Sequence, residues 1–161
     1  PVGGVAHNES RIKETIQRTP DLVLMILGLE GRKIFEEIRA RVSLEDLEDP
    51  NARELYISLE EMYRKEEWAV EQLLEGLRNN ALKAYVLSRL MSEEFKIQQN
   101  KLIQDSIKIL KRRNLIKQRD QVLKDILRCQ KQGQEKELAA LLEKKMYLDG
   151  ELNKLRIAED E

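Results

Sequence analysis

The chain has 161 residues and 18.9 kDa, of which 37% are charged and only 4% aromatic, with a formal net charge of -1. That size allows one ordinary domain or a small domain with an appendage, and the balance suits thin helical layers better than a wide sheet or a deep catalytic cleft. A single cysteine excludes an internal disulfide or a cysteine-based zinc site, and no apolar run reaches the roughly 20 residues that span a bilayer. With no signal peptide in view, the expectation is a cytoplasmic protein without a membrane contact.

Taken in order, Pro1 and the Gly3-Gly4 pair open a stretch without periodicity, so residues 1–8 are expected to be a disordered linker or a cloning remnant of a longer protein. His7 within it is expected to be inert. Residues 9–18 are weakly amphipathic through Ile12 and Ile16. Thr19-Pro20 then carries a helix-start signal, threonine as N-cap and proline at the first helical position. The run LVLMILGL that follows is apolar on every side. It is read as a buried central helix, with a short buried strand as the rival.

Residues 32–42 place Ile34, Phe35 and Ile38 on one helical face. Ser43 and Asp46 have capping-box spacing. Asp49-Pro50 repeats the start signal, and Leu55, Tyr56, Leu59, Met62 and Tyr63 follow at helical spacing as core. Two shorter helices, 71–78 and 81–91, flank Asn79-Asn80. Trp68 has two readings, packing at a helix start or anchoring a partner. Residues 9–111 thus form a bundle subdomain of short helices.

A long helix over residues 97–131 follows, then a turn at Gly133, which can adopt the left-handed conformation that ends a helix. The last helix runs over residues 134–157. Its Leu138, Leu141, Lys145, Leu148, Leu152 and Leu155 alternate steps of three and four, a stripe that a partner helix must cover. The expected architecture is therefore all-α: an N-terminal bundle joined by a long shared helix to a C-terminal antiparallel hairpin, residues 112–161. Lys111, Arg112, Arg113 and Asn114 lie between two differently facing apolar stretches of the long helix and are read as a hinge.

Antiparallel folding about Gly133 places residues whose numbers sum to about 265 opposite one another. The expected seam is then Ile116, Asp120, Leu123, Leu127, Leu138, Leu142, Lys145, Leu148 and Leu152, with an Asp120–Lys145 ion pair holding register. Leu115, Val122 and Ile126 on the long helix, with Met146 and Ile157 on the last, are read as an uncovered apolar flank. That flank either docks on a partner or only widens the seam.

No glycine-rich phosphate loop, nucleophile elbow or metal-ligand cluster is present, and the paired glutamates are sequence neighbours that point about 100° apart on a helix. No catalytic residue, cofactor or metal is assigned. The charge is polar: residues 96–131 carry roughly +8 and residues 43–75 roughly -8. Lys108, Lys111, Arg112, Arg113, Lys117 and Arg119 could meet phosphates, but no interleaved aromatics offer stacking, so a nucleic-acid contact is the less favoured reading. Cys129 has no base or metal partner nearby and is read as structural.

The run IFEEIRARVSLEDLEDPNARELYISLEEMYR, residues 34–64, resembles the helix, acidic turn, Asp-Pro and helix of two related bacterial modules. These are the C-terminal domain of the DnaG-type replicative primase and the N-terminal domain of the hexameric ring helicase that it binds. The basic long helix, Gly-centred turn and charged last helix are similar to the primase. The LVLMILGL helix and the helix before it depart from that pattern. The resemblance implies a non-catalytic helicase-docking domain of a primase, recruiting primer synthesis to the replication fork and modulating the helicase. Zinc and magnesium would belong to other domains of the parent nucleotidyltransferase. The rivals are the helicase's own N-terminal domain and a helical nucleic-acid-binding module using the basic cluster.

Overall fold

The computed structural model describes residues 16–160, and side chains over residues 16–155. The expectations for residues 1–15, including His7 and most of the first amphipathic stretch, lie outside the described residues, and so does the side chain of Ile157. Every regular element among the described residues is helical: α1 Pro20–Gly28, α2 Arg32–Arg41, α3 Pro50–Arg64, α4 Val70–Glu75, α5 Asn80–Met91, α6 Gln99–Gln132 and α7 Glu135–Asp160, with single 3-10 turns at Leu44–Asp46 and Glu93–Phe95. They fall into two compact units, Pro1–Ile107 and Lys108–Glu161. The division lies four residues before the expected one. Helix α6 runs through it, and through Lys111, Arg112, Arg113 and Asn114, as one uninterrupted helix.

In the first unit α1 is the central helix and the strand reading falls away. Every residue from Asp21 to Gly28 is buried, which an all-apolar helix requires and an amphipathic one could not meet. It touches α2, α3 and α5. Gly28 sits where these layers come closest: an added Cβ would lie 3.3 Å from the Phe35 ring and within 3.7 Å of Ile38 and Leu59. Phe35 collects the aromatics around it, with ring centroids of Tyr56, Tyr63 and Trp68 at 5.8, 6.0 and 6.0 Å. Trp68 donates its indole N–H to the Leu29 carbonyl at 3.2 Å, so it packs into the bundle.

The helix starts are chemically fixed. Thr19 Oγ1 accepts from the Leu22 amide at 3.1 Å and donates to Asp49, whose other carboxylate oxygen accepts from the Asn51 amide at 2.9 Å. Two N-caps are thereby tied to each other, each satisfying amides that helix geometry leaves unpaired. Ser43 and Asp46 form a capping box on a 3-10 turn. Asn79 caps α5 through the Ala81 and Leu82 amides. The first turns of α6 belong to this unit, with Ile103 and Ile107 buried and Arg41 donating to Gln104.

The second unit is the hairpin of α6 and α7. Gly133 has φ +68, and the Gln134 amide reaches back to the Cys129 carbonyl at 3.1 Å. That is the six-to-one bond of a Schellman ending, for which a residue without Cβ is favoured. An alanine there would meet no neighbour within 4 Å, so its cost would be the backbone strain alone, about 1–2 kcal/mol.

Candidate docking surface on the helical hairpin

Two helices have one face each to give to the other, and what remains faces outward. The hairpin core is Val122, Ile126 and Leu148, with Leu115, Leu138 and Leu141 packed against it. Cys129 is buried at the turn end, its thiol 3.6 Å from Gln134 Oε1 and 3.7 Å from Glu137 Oε2. Burial, then the Glu137 carboxylate, pushes this thiol's pKa above its usual value.

The expected flank and seam of α6 are exchanged. Leu115, Val122 and Ile126, expected to be uncovered, form the seam, with Val122 only 2% exposed. Leu123, Leu127 and Leu142, expected to be covered, are 39%, 59% and 45% exposed. The physical reason is a one-residue rotation. Helix α6 carries two apolar stripes, 115/122/126/129 and 116/123/127, about 100° apart. The first consists mostly of β-branched and small side chains, which let the α7 stripe approach. The expected Asp120–Lys145 pair changes with it. Asp120 is exposed, the cross-helix pair is Arg119–Asp149 at 3.9 Å, and Lys145 bonds the same carboxylate along its own helix at 2.8 Å. Of the remaining expected seam positions, Ile116, Lys145 and Leu152 are half-buried.

The leucines displaced from the seam are not scattered. On α6, Ile116, Leu123 and Leu127 lie roughly 80–120° round from the seam centre; on α7, Leu142 and Met146 lie roughly 85–125° round in the same rotational sense. In an antiparallel pair, equal rotation in the same sense lands on the same side. The Arg119–Asp149 pair marks that edge. Leu123, Leu127, Leu142 and Met146, the last 75% exposed, therefore make one contiguous apolar face. Ile109 and Ile116 extend it toward the start of α6, where with Arg112, Arg113 and Lys117 they line a shallow pocket of about 300 Å³. Ile109 was absent from the sequence reading. Its signal was the seven-residue step to Ile116 and another seven to Leu123.

The expected phosphate-binding cluster divides. Arg119 is committed to the hairpin edge beside Asp149, while Arg112, Arg113 and Lys117 line the pocket. Among the described residues no group of three metal-ligating side chains occurs, and no helix is long and apolar enough to cross a membrane.

Fold and surface together define an all-α chain whose hairpin presents a one-sided apolar face beside cations. No family model matches the chain, and no solved structure matches it. The DNA primase of Treponema pallidum (strain Nichols) is 28% identical to it over 142 residues. The matched region covers 86% of this chain and 24% of the relative, so the chain spans about a quarter of that primase's length. The primase likeness read from residues 34–64 and from the hairpin thus extends over most of the chain.

Proposed function

We propose that this chain is a helicase-docking domain of a bacterial replicative primase, and that the hairpin is the attachment. The observation that carries the reading is the contiguous face of Leu123, Leu127, Leu142 and Met146 on a two-helix layer. A two-helix unit has no third layer, and an exposed cluster of large aliphatic side chains on one side marks a contact surface. Met146, expected at the docking flank, belongs to this face. Leu115, Val122 and Ile126 support it from beneath by holding the hairpin closed. In this reading, which takes up the resemblance to a replicative primase, the partner is the ring helicase's N-terminal domains and the consequence is recruitment of primer synthesis to the fork.

The same reading makes Lys111, Arg112, Arg113 and Asn114 the place where the long helix flexes. Faster amide exchange at these four residues than in the flanking turns would support that, and uniform protection would remove it. The docking itself is tested by mixing the purified chain with the cognate ring helicase, alongside a form ending at Gly133. Full-length binding and loss in the shorter form are expected. Equal binding by both forms would move the attachment out of the hairpin.

A further inference from the structure

The first unit carries a groove that neither its core nor the hairpin uses. Helix α3 turns Glu54, Ile57, Ser58, Glu61, Met62 and Lys65 to one side, in steps of one to four that keep them within about 140° of one another. Helix α4 and the turn after it form the opposite wall. Two hollows of about 160 and 640 Å³ adjoin there and share Ser58, Glu61 and Gly76. From Glu54 to Lys65 the groove runs ~17 Å at 1.5 Å per residue, the span of about five residues of extended chain.

Its floor is apolar. Met62 and Leu73 lie under one hollow, and Ile57, 50% exposed, lines the other. Gly76 keeps the far wall low: a Cβ there would meet only the Leu73 and Gln72 carbonyl oxygens of its own helix, at 3.4 and 3.6 Å. The charges have an order. Glu67 and Lys65 line the first hollow, Glu54 and Arg78 the second, and Glu61 both. Each end therefore holds an acid and a cation, and Glu61 at the middle has no counterpart. It is exposed and forms no ion pair with another described residue, and the same is true of Glu66, Glu67, Glu71 and Glu75. Residues 54–78 hold seven glutamates against three cations, of which Glu60 is taken by Arg39 and Arg64. The field over the groove is negative.

We propose that this groove receives an extended basic segment of a partner protein, with a lysine or arginine meeting Glu61 and apolar side chains beside it covering Ile57 and the floor. Charge complementarity selects the cation. Lysine and arginine suit both parts of the site, because the methylene stem can lie on Ile57 while the head reaches the carboxylate. The same field repels phosphates, which sets a nucleic acid aside. A bare cation would leave Ile57 in water. The surface lies on the first unit, so it goes beyond the attachment read from the hairpin.

The test uses the full chain and three fluorescent peptides of about seven residues, slightly longer than the groove. The first alternates lysine with valine, the second glutamate with valine, and the third lysine with serine. The lysine–valine peptide is expected to bind, with affinity falling about tenfold between about 50 and 300 mM salt, and the other two at least about tenfold more weakly. Glu61→Lys is expected to weaken the first peptide about tenfold and to admit the second. Gly76→Leu fills the groove from a backbone of φ -78 that accepts any side chain, and is expected to block the first peptide at an unchanged melting temperature. If that variant does not fold, Ile57→Ser at the exposed floor takes its place, with the same loss expected.

Equal binding of the lysine–serine peptide would leave only an acidic surface and overturn the groove. Unchanged binding in Glu61→Lys, or no binding of the lysine–valine peptide to wild type, would overturn the proposal as a whole. Leu127→Asp with Leu142→Asp, which alters the hairpin face, is expected to bind the peptide as wild type does. The peptide and helicase experiments therefore fail separately.

Discussion

Arg119 on α6 and Asp149 on α7 face each other across the hairpin at 3.9 Å, and Lys145 holds the same carboxylate at 2.8 Å. One acid thus joins the two helices along the edge that borders the exposed apolar face. All three side chains are about one-third exposed or more, so the pair contributes under about 1 kcal/mol. Asp149→Asn should therefore melt within a few degrees of wild type. Asp149→Lys, which gathers three cations at one edge, should lower the hairpin's melting temperature further, and by more at low salt than at high salt. A salt-independent shift would mean that the edge is not electrostatic.

The exchange of seam and flank makes an ordering that thermal or urea melting can read. Ile126→Ala removes buried methyl groups from the hairpin core and should cost about 2–5 kcal/mol. Leu127→Ala, next to it in sequence but 59% exposed, should cost under about 0.5 kcal/mol. The reverse order would restore Leu127 to the seam.

Thr19 and Asp49 each cap a helix and bond to each other. Thr19→Ala and Asp49→Ala should each destabilise the bundle by about 1 kcal/mol. Because each change also strips the other residue of a partner, the double variant should lose less than the two single losses combined. Strict additivity would show that the Thr19–Asp49 bond contributes nothing.

Cys129 supplies a pH dependence. Its folded thiol has a raised pKa, through burial first and Glu137 second. In the unfolded chain the thiol loses its proton at lower pH than in the folded one, so the unfolded state binds fewer protons in that interval. Stability should then fall as pH rises through the ordinary thiol range, about pH 8.5 and above. Cys129→Ala should flatten that alkaline slope in a urea-melting series. Alkylation of wild type at neutral pH should be slow, and should accelerate in Ile126→Ala as the turn end opens. Equal slopes in Cys129→Ala and wild type would assign the alkaline loss elsewhere.

Much of the fold was legible because its signals are local. Thr19-Pro20 and Asp49-Pro50 start helices through their own hydroxyl and carboxylate chemistry, Gly133 ends one through its backbone freedom, and the all-round apolarity of residues 22–29 left no position but the centre of the bundle. The stripe of Leu138, Leu141, Lys145, Leu148 and Leu152 was equally readable, since its three-four repeat runs the length of α7. The pairing face of α6 was not, because residues 115/122/126/129 and 116/123/127 both satisfy the helical period and differ by one position. Periodicity cannot choose between such stripes. In the structure Val122, Ile126 and Cys129 are the buried set, and Leu123 and Leu127 are turned outward into the exposed apolar face. Seen from sequence, Leu123 and Leu127 looked like core because the helical period fits them as well as it fits Val122 and Ile126.

The most direct test of this account is the affinity of the ring helicase, measured by titration calorimetry, for wild type and for Leu127→Asp with Leu142→Asp. Both side chains are exposed, so the variant should keep the helical content and melting temperature of wild type. The account expects its affinity to fall at least about a hundredfold, the scale of losing two central apolar anchors. A variant that folds as wild type and binds the helicase with unchanged affinity would contradict it.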